Sequence, residues 1–69
     1  MKNSIGVRRK KQKLSQAEIA RLAGVTRQTI NAIENDKYDP SLNLAFALAK
    51  ILKTSVECLF EYQSEEESK

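Results

Sequence analysis

The sequence predicts a mainly α-helical domain of five short helices, and three observations carry that expectation. Capping signals recur just ahead of stretches whose apolar residues follow helical spacing: Ser4, Ser15, Thr26, Ser41, and Thr54 or Ser55. Leu, Ile, Val and Ala supply the apolar positions, since there is no Trp and only two Phe and two Tyr. A chain of 69 residues buries only about 60% of its unfolded surface, which leaves material for one small core and no second domain.

Each element follows from its own residues. Ser4 starts a first helix from Ile5 to about Gln12. Ser15 with Glu18 three residues later forms a capping box, in which the hydroxyl takes one free N–H and the carboxylate returns to the cap's own N–H. A second helix therefore begins at Gln16, with Ala17, Ile19, Ala20 and Ala23 on or near one face, and it stops at Gly24, where a left-handed residue meets no Cβ clash. Thr26 caps the third helix, whose apolar stripe is Ile30 and Ile33, with Arg27, Gln28, Thr29 and Asn31 outside it. Residues 35–40 read as a polar loop closed by Pro40, which keeps Asp39 out of helical angles. Ser41 caps a fourth helix with Leu42, Ala45, Leu48, Ala49 and Leu52 at helical spacing. A short fifth helix carries Val56, Leu59 and Phe60. Leu59 to Gln63 then alternates apolar and polar as a strand does. The acidic tail, residues 64–69, is too polar to fold and is read as disordered beyond a domain at 1–63.

Composition removes several function classes. With no His and a single cysteine, Cys58, neither an internal disulfide nor the usual zinc ligands nor a His-activated nucleophile is on offer, so no metal, no cofactor and no enzymatic activity are expected. No apolar run is long enough for a membrane span, and the charged N-terminus lacks the apolar stretch of a signal peptide, so the default is a cytoplasmic protein away from membranes. Nor does the sequence hold a separate domain for a small-molecule effector.

Charge is unevenly divided. Residues 1–37 hold nine Lys/Arg against three acids, whereas residues 38–69 hold three Lys against six acids. The first half is thus suited to a polyanion and the second is not.

A helix, a turn at Gly24-Val25 and a second helix over residues 15–35 have the length of a helix-turn-helix, though many bundles share that bare geometry. The stretch "LSQAEIARLAGVTRQTINAIENDKYDPSL" is more specific. It resembles the helix-turn-helix of the phage repressor and Cro superfamily, the XRE-type regulators, from Leu14 to Leu42. With its "TSVECLFEYQ" ending the chain is similar, over about residues 4–63, to short stand-alone members related to the cytolysin-operon repressor. That resemblance implies a lambda-repressor-like fold of five helices followed by a short C-terminal antiparallel β-strand pair.

It also implies a partner, double-stranded DNA, with helix three in the major groove. The positions matching the family's base-contacting residues are Thr26, Arg27, Gln28 and Ala32. Their chemistry suits base recognition, since Gln28 can meet adenine N6/N7 bidentately, Arg27 can fork onto guanine O6/N7 or a phosphate, and the Thr26 methyl can touch a thymine methyl. Ala32 departs from relatives with a longer polar residue, so readout there is apolar or absent. Gln16, Thr29, Asn35 and Lys37 match phosphate-contacting positions. Against this, Gln16 can be read as a plain exposed helix start and Asn35 as a C-cap. Arg9 and Glu34 match a semi-buried structural ion pair. Arg8 stands where relatives carry an aliphatic residue, which leads to the expectation that Val7 turns partly inward, and Lys13 stands where relatives often have Gly.

The second half is read as an assembly device. Leu44, Phe46 and Ile51 lie outside the core stripe of helix four, and Cys58, Phe60 and Tyr62 add apolar surface, so Leu44, Ile51, Cys58, Phe60 and Tyr62 form the expected interface of a homodimer. Phe46 and Phe60 can instead complete the monomer core. The functional expectation is a sequence-specific, dimeric repressor on inverted half-sites. The competing readings are a helical protein-interaction adaptor, which would not read bases, and an antitoxin-like partner of a toxin.

Overall fold

The computed structural model describes residues 2–61. Tyr62 and the acidic tail at 64–69 lie outside the described residues. Among these, the chain runs β1 (Lys2–Asn3), α1 (Ile5–Lys11), α2 (Gln16–Ala23), α3 (Arg27–Glu34), α4 (Leu42–Ile51), α5 (Val56–Leu59) and β2 (Phe60–Glu61).

Four of the five helices start where a hydroxyl accepts the free N–H three residues on. Ser15 Oγ accepts from Glu18 N at 3.0 Å while Glu18 Oε1 accepts from Ser15 N at 2.9 Å, closing the capping box. Thr26, Ser41 and Ser55 do the same for the backbone N–H of Thr29, Leu44 and Cys58. Each cap is worth about 1 kcal/mol, and in helices of four to ten residues such local terms decide where the helix begins. The first helix differs. Ser4 Oγ accepts from Arg8 Nε at 2.9 Å, and it is Asn3 Oδ1 that accepts the Ile5 N–H.

Left-handed residues make the turns. Gly24 at φ 74° ends α2 without strain, whereas Lys13 (φ 60°), Asp36 (φ 61°) and Lys53 (φ 57°) hold the same conformation with a Cβ, at about 1–2 kcal/mol each. Lys13 thus fills a position where glycine is the unstrained choice.

The core is aliphatic. Ile5 from α1, Ile19 and Ala20 from α2, Ile30 and Ile33 from α3, Ala45, Leu48 and Ala49 from α4 followed by Leu52, and Leu59 with Phe60 are buried in one cluster. Full burial of a large aliphatic side chain stabilises by about 1.5–3 kcal/mol. Among the described residues no polar or charged residue is buried with them.

Several expectations are corrected. Phe60 is 8% exposed and belongs to the core, so it offers little area to a second protomer. It is placed there by β2, whose pairing with β1 (Lys2 opposite Glu61, Asn3 opposite Phe60) turns alternate residues inward. The antiparallel pair itself is not wholly C-terminal, because its first strand is the chain's N-terminus. The pairing is extended by the Ser4 N–H donating to Leu59 O at 2.9 Å. Val7 is 61% exposed: α1 turns Ile5, Arg8 and Arg9 inward at i, i+3 and i+4, which leaves Val7 on the far side. Ala17 is exposed beside the buried Ile19 and Ala20. Leu42 is on the apolar stripe of α4 but 69% exposed, since the first residue of that helix overhangs a groove lined by Pro40, Leu42, Ala45, Val56 and Phe60.

Candidate nucleic-acid interface

The site grows out of the packing of α2 against α3 through Ile19, Ala20, Ile30 and Ile33. Short side chains at Ala20 and Ala23 permit close approach, and Gly24 with Val25 reverses the chain in the space of a few residues. Burying Ile30 and Ile33 on one side obliges the rest of α3 to face outward. Arg27, Gln28 and Asn31 are accordingly exposed, with Thr29 and Ala32 half-buried.

A hydrogen-bonded network fixes the pose of α3. Arg9 Nε lies 2.8 Å from Glu34 Oε2, and Arg9 Nη2 reaches Glu34 Oε1 at 3.3 Å, with both side chains 12% exposed. The same guanidinium donates through Nη1 to Leu14 O at 3.0 Å, so Arg9 joins α1, the turn before α2 and the end of α3. Gln16 Nε2 donates to Glu34 Oε1 at 3.2 Å and to Asn31 Oδ1 at 3.3 Å. Gly6 lets α1 come this close, because a Cβ there would lie 3.2 Å from Glu34 Oε1.

The residues that the sequence singles out therefore fall into two sets. Gln16, Thr26, Thr29 and Asn35 already have intramolecular partners: Thr26 Oγ1 and Thr29 Oγ1 are 3.0 Å apart, and Asn35 Nδ2 donates to Asn31 O at 2.8 Å, closing the last turn of α3. Arg27, Gln28 and Lys37 are exposed, and among the described residues their side-chain heads meet no hydrogen-bond partner. Arg27 also borders a shallow groove with Arg9, Ser15, Gln16 and Ala17 at the start of α2, where the free N–H groups and helix dipole favour an anion.

Sequence reasoning missed Tyr38. It is 52% exposed and, with Thr26, Gln28, Thr29 and Ala32, lines a second groove on the outer face of α3. An aromatic side chain inside an otherwise polar loop was the available signal.

The expected interface residues of the second half are scattered in their exposure. Leu44 and Ile51 are half-buried against the core, Cys58 is exposed, and the large apolar side chain most open on α4 besides Leu42 is Phe46, at 59%. The hydroxyls of Ser55 and then Thr54 hold the Cys58 thiol below its ordinary range. Among the described residues there is no group of acidic, cysteine or histidine side chains fit to hold a metal ion, and no helix is long and apolar enough to cross a membrane.

This architecture, with a tightly turned helix pair carrying an exposed polar face, defines a class. Residues 6–57 match the helix-turn-helix family, and the chain belongs to it, among the XRE-type transcriptional regulators. It is 47% identical over 66 residues to an HTH-type transcriptional regulator of Methanocaldococcus jannaschii, across 96% of this chain and 100% of that one. Among solved structures it is similar to the N-terminal DNA binding domain of SinR from Bacillus subtilis, with a TM-score of 0.75, 29% identity, and coverage of 88% of this chain and 90% of that one. A like TM-score of 0.75, at 31% identity, relates it to hydroxypropylphosphonic acid epoxidase from S. wedmorenis, but the match covers 83% of this chain and 30% of the epoxidase.

Proposed function

We propose that the protein is a cytoplasmic, dimeric repressor that binds inverted half-sites on double-stranded DNA, with α3 of each protomer in a major groove. One observation carries the reading: Arg27 and Gln28 stand on the exposed side of a helix whose other side is locked into the core, and their polar heads have no partner among the described residues. Side chains so placed are free to exchange water for base edges. A helix about 10–12 Å across fits a groove about 12 Å wide.

In this reading Gln28 meets adenine, Arg27 meets guanine or a phosphate, and Thr26 and Ala32 add apolar contact. Lys37 and Thr29 lie against the sugar-phosphate backbone. Gln16 contributes there through the free N–H groups at the start of α2, because its own amide N–H groups are already engaged, whereas Asn35 must release its bond to Asn31 O to meet a phosphate. Phosphate contacts set the register and base contacts the sequence. The apolar patch of Leu42 and Phe46, with the groove of about 270 Å³ bordered by Pro40, Ala45, Val56 and Phe60, supports a second copy as partner. Leu44, Ile51 and Cys58 lie on the same half of the chain. A two-fold dimer of this kind spaces its recognition helices about 34 Å apart, one DNA turn.

The test is selection of bound DNA from a random oligonucleotide pool, followed by anisotropy titrations of the selected site and of random DNA at fixed salt. Gln28→Ala is expected to weaken the selected site by about 1–3 kcal/mol with little change on random DNA. Equal loss on both would remove Gln28 from base reading. Two protomers per selected site are expected, and one would overturn the dimer.

A further inference from the structure

The groove beside Tyr38 shares four of its walls with the base and phosphate contacts assigned to α3, and Tyr38 is the wall to which no such contact has been given. Its walls are Thr26, Gln28, Thr29, Ala32 and Tyr38, and it holds about 270 Å³ of open space. On a face otherwise made of polar heads, its lining is mostly apolar. The hydroxyls of Thr26 and Thr29 are turned on each other at 3.0 Å, and Thr26 Oγ1 also takes the Thr29 N–H at 3.2 Å. With their hydroxyls directed at each other, these threonines add their methyl groups to the apolar part of the lining. Ala32 adds a third methyl, and its small side chain is what leaves the space open.

The opposite wall is held in place by the backbone. Asp36 at φ 61° turns the chain back at the end of α3, and the Lys37 N–H donates to Ala32 O at 2.9 Å. Tyr38 follows directly and lines the same groove as Ala32, the residue to which the loop is tied. Among the described residues its hydroxyl meets no partner. An aromatic ring 52% exposed in a small protein, with its polar end unengaged, is suited to a surface that offers both an apolar group and an acceptor.

We propose that this slot takes the 5-methyl group of a thymine in each half-site, with the Tyr38 ring as one wall, and that Tyr38 is a specificity-determining residue. The inference rests on the DNA-binding reading. Among the groups by which base pairs are told apart in the major groove, the hydrogen-bonding ones are polar and the thymine methyl is the projecting apolar one. Gln28 lines the same slot, so the thymine is in or next to the base pair that Gln28 meets.

The probe is the pool-selected site, resynthesised with deoxyuridine in place of each thymine in turn. This removes one methyl and leaves every hydrogen-bonding group of the base. For the wild-type protein, one substitution per half-site is expected to weaken binding about four-fold, the equivalent of one buried methyl group. Tyr38→Phe should keep that difference, because the wall remains, and Tyr38→Ala should bind the thymine and deoxyuridine sites alike. Thermal melts of each variant show whether the fold is retained; Tyr38 is not part of the core. A wild-type protein indifferent to every deoxyuridine would overturn the slot, as would Tyr38→Ala with the four-fold difference intact. Either result leaves DNA binding standing, whereas a wild type that fails to distinguish the selected site from random DNA overturns both.

Discussion

Two glutamines on adjoining helices divide the labour of this molecule. Gln16, at the start of α2, is half-buried and has its amide nitrogen within hydrogen-bond distance of both Glu34 and Asn31. Gln28, in the first turn of α3, is exposed and has no such partner among the described residues. The side chain is the same, but one is part of the frame and the other is available to a ligand. Polar residues on a binding surface are therefore of two kinds, and what separates them is the hydrogen bonding of the unbound protein. A side chain with its donors engaged holds its neighbours in place, whereas one whose donors face water can trade that water for a base at little net cost.

The widest separation between the regions is expected from Glu34→Ala. It removes the acceptor shared by Arg9 and Gln16 and leaves the guanidinium, 12% exposed, with Leu14 O as its remaining partner. Loss of one partner of a buried pair costs about 3–5 kcal/mol, and the residual exposure here argues for the low end. In a domain of this size that lowers the melting temperature by more than 10 °C, at about 4–8 °C per kcal/mol. Circular dichroism on heating gives the answer. A shift of a degree or two would mean that the network only decorates a fold held by its core.

Gln16→Ala against Gln28→Ala sharpens the comparison directly. The first removes two neutral or charge-assisted hydrogen bonds and is expected to cost about 1–2 kcal/mol of stability, with DNA affinity reduced similarly for every sequence. The second should leave stability within about 0.5 kcal/mol of wild type, as surface substitutions do, and act on sequence preference alone. If the two variants exchange these signatures, the division between frame and reader is drawn in the wrong place.

How far this was legible from sequence depends on the range of the interaction. Ser15, Thr26, Ser41 and Ser55 announce helix starts because a hydroxyl and an N–H three residues on are close whatever the rest of the chain does. Ile19, Ile30, Ile33 and Leu48 follow from periodicity for the same reason. Asn3 is different: its Nδ2 donates to Ile33 O at 2.7 Å across thirty residues of chain, and the partner of β2 is β1 from the opposite end. Such pairings are set by tertiary packing and leave no local mark. The same holds for Leu42 and Phe60, which have similar hydrophobic character and opposite exposure, because one overhangs the edge of the core and the other is drawn in by strand pairing. In the interface, residue types indicated which side chains were chemically able to meet DNA. They did not tell that Gln16 was already engaged, nor that Tyr38 shared a groove with Ala32, whereas the reading of Asn35 as a C-cap holds.

The smallest expected effect concerns the start of α2, where frame and ligand surface meet. The Glu18 carboxylate accepts the Ser15 backbone N–H and belongs to the same box as the Ser15 hydroxyl, with Arg21 adding a weaker attraction, and these hold its pKa below the ordinary 4.5. A carboxyl group with a lowered pKa in the folded state stabilises fully above its ordinary value, and the contribution disappears as pH falls through the lower folded one. Glu18 is fully exposed, so solvent keeps the effect small. Glu18→Gln retains an oxygen acceptor for the Ser15 N–H but cannot titrate. The difference in melting temperature between wild type and Glu18→Gln should thus be constant from about pH 7 to about pH 5 and shift against the wild type below about pH 4.5. Other carboxyl groups titrate alike in both proteins and cancel in the difference. A difference that stays flat to about pH 3 would mean that the box positions the first turn of α2 without its charge, leaving the dipole and the free N–H groups beside Arg27 as the local pull on a phosphate.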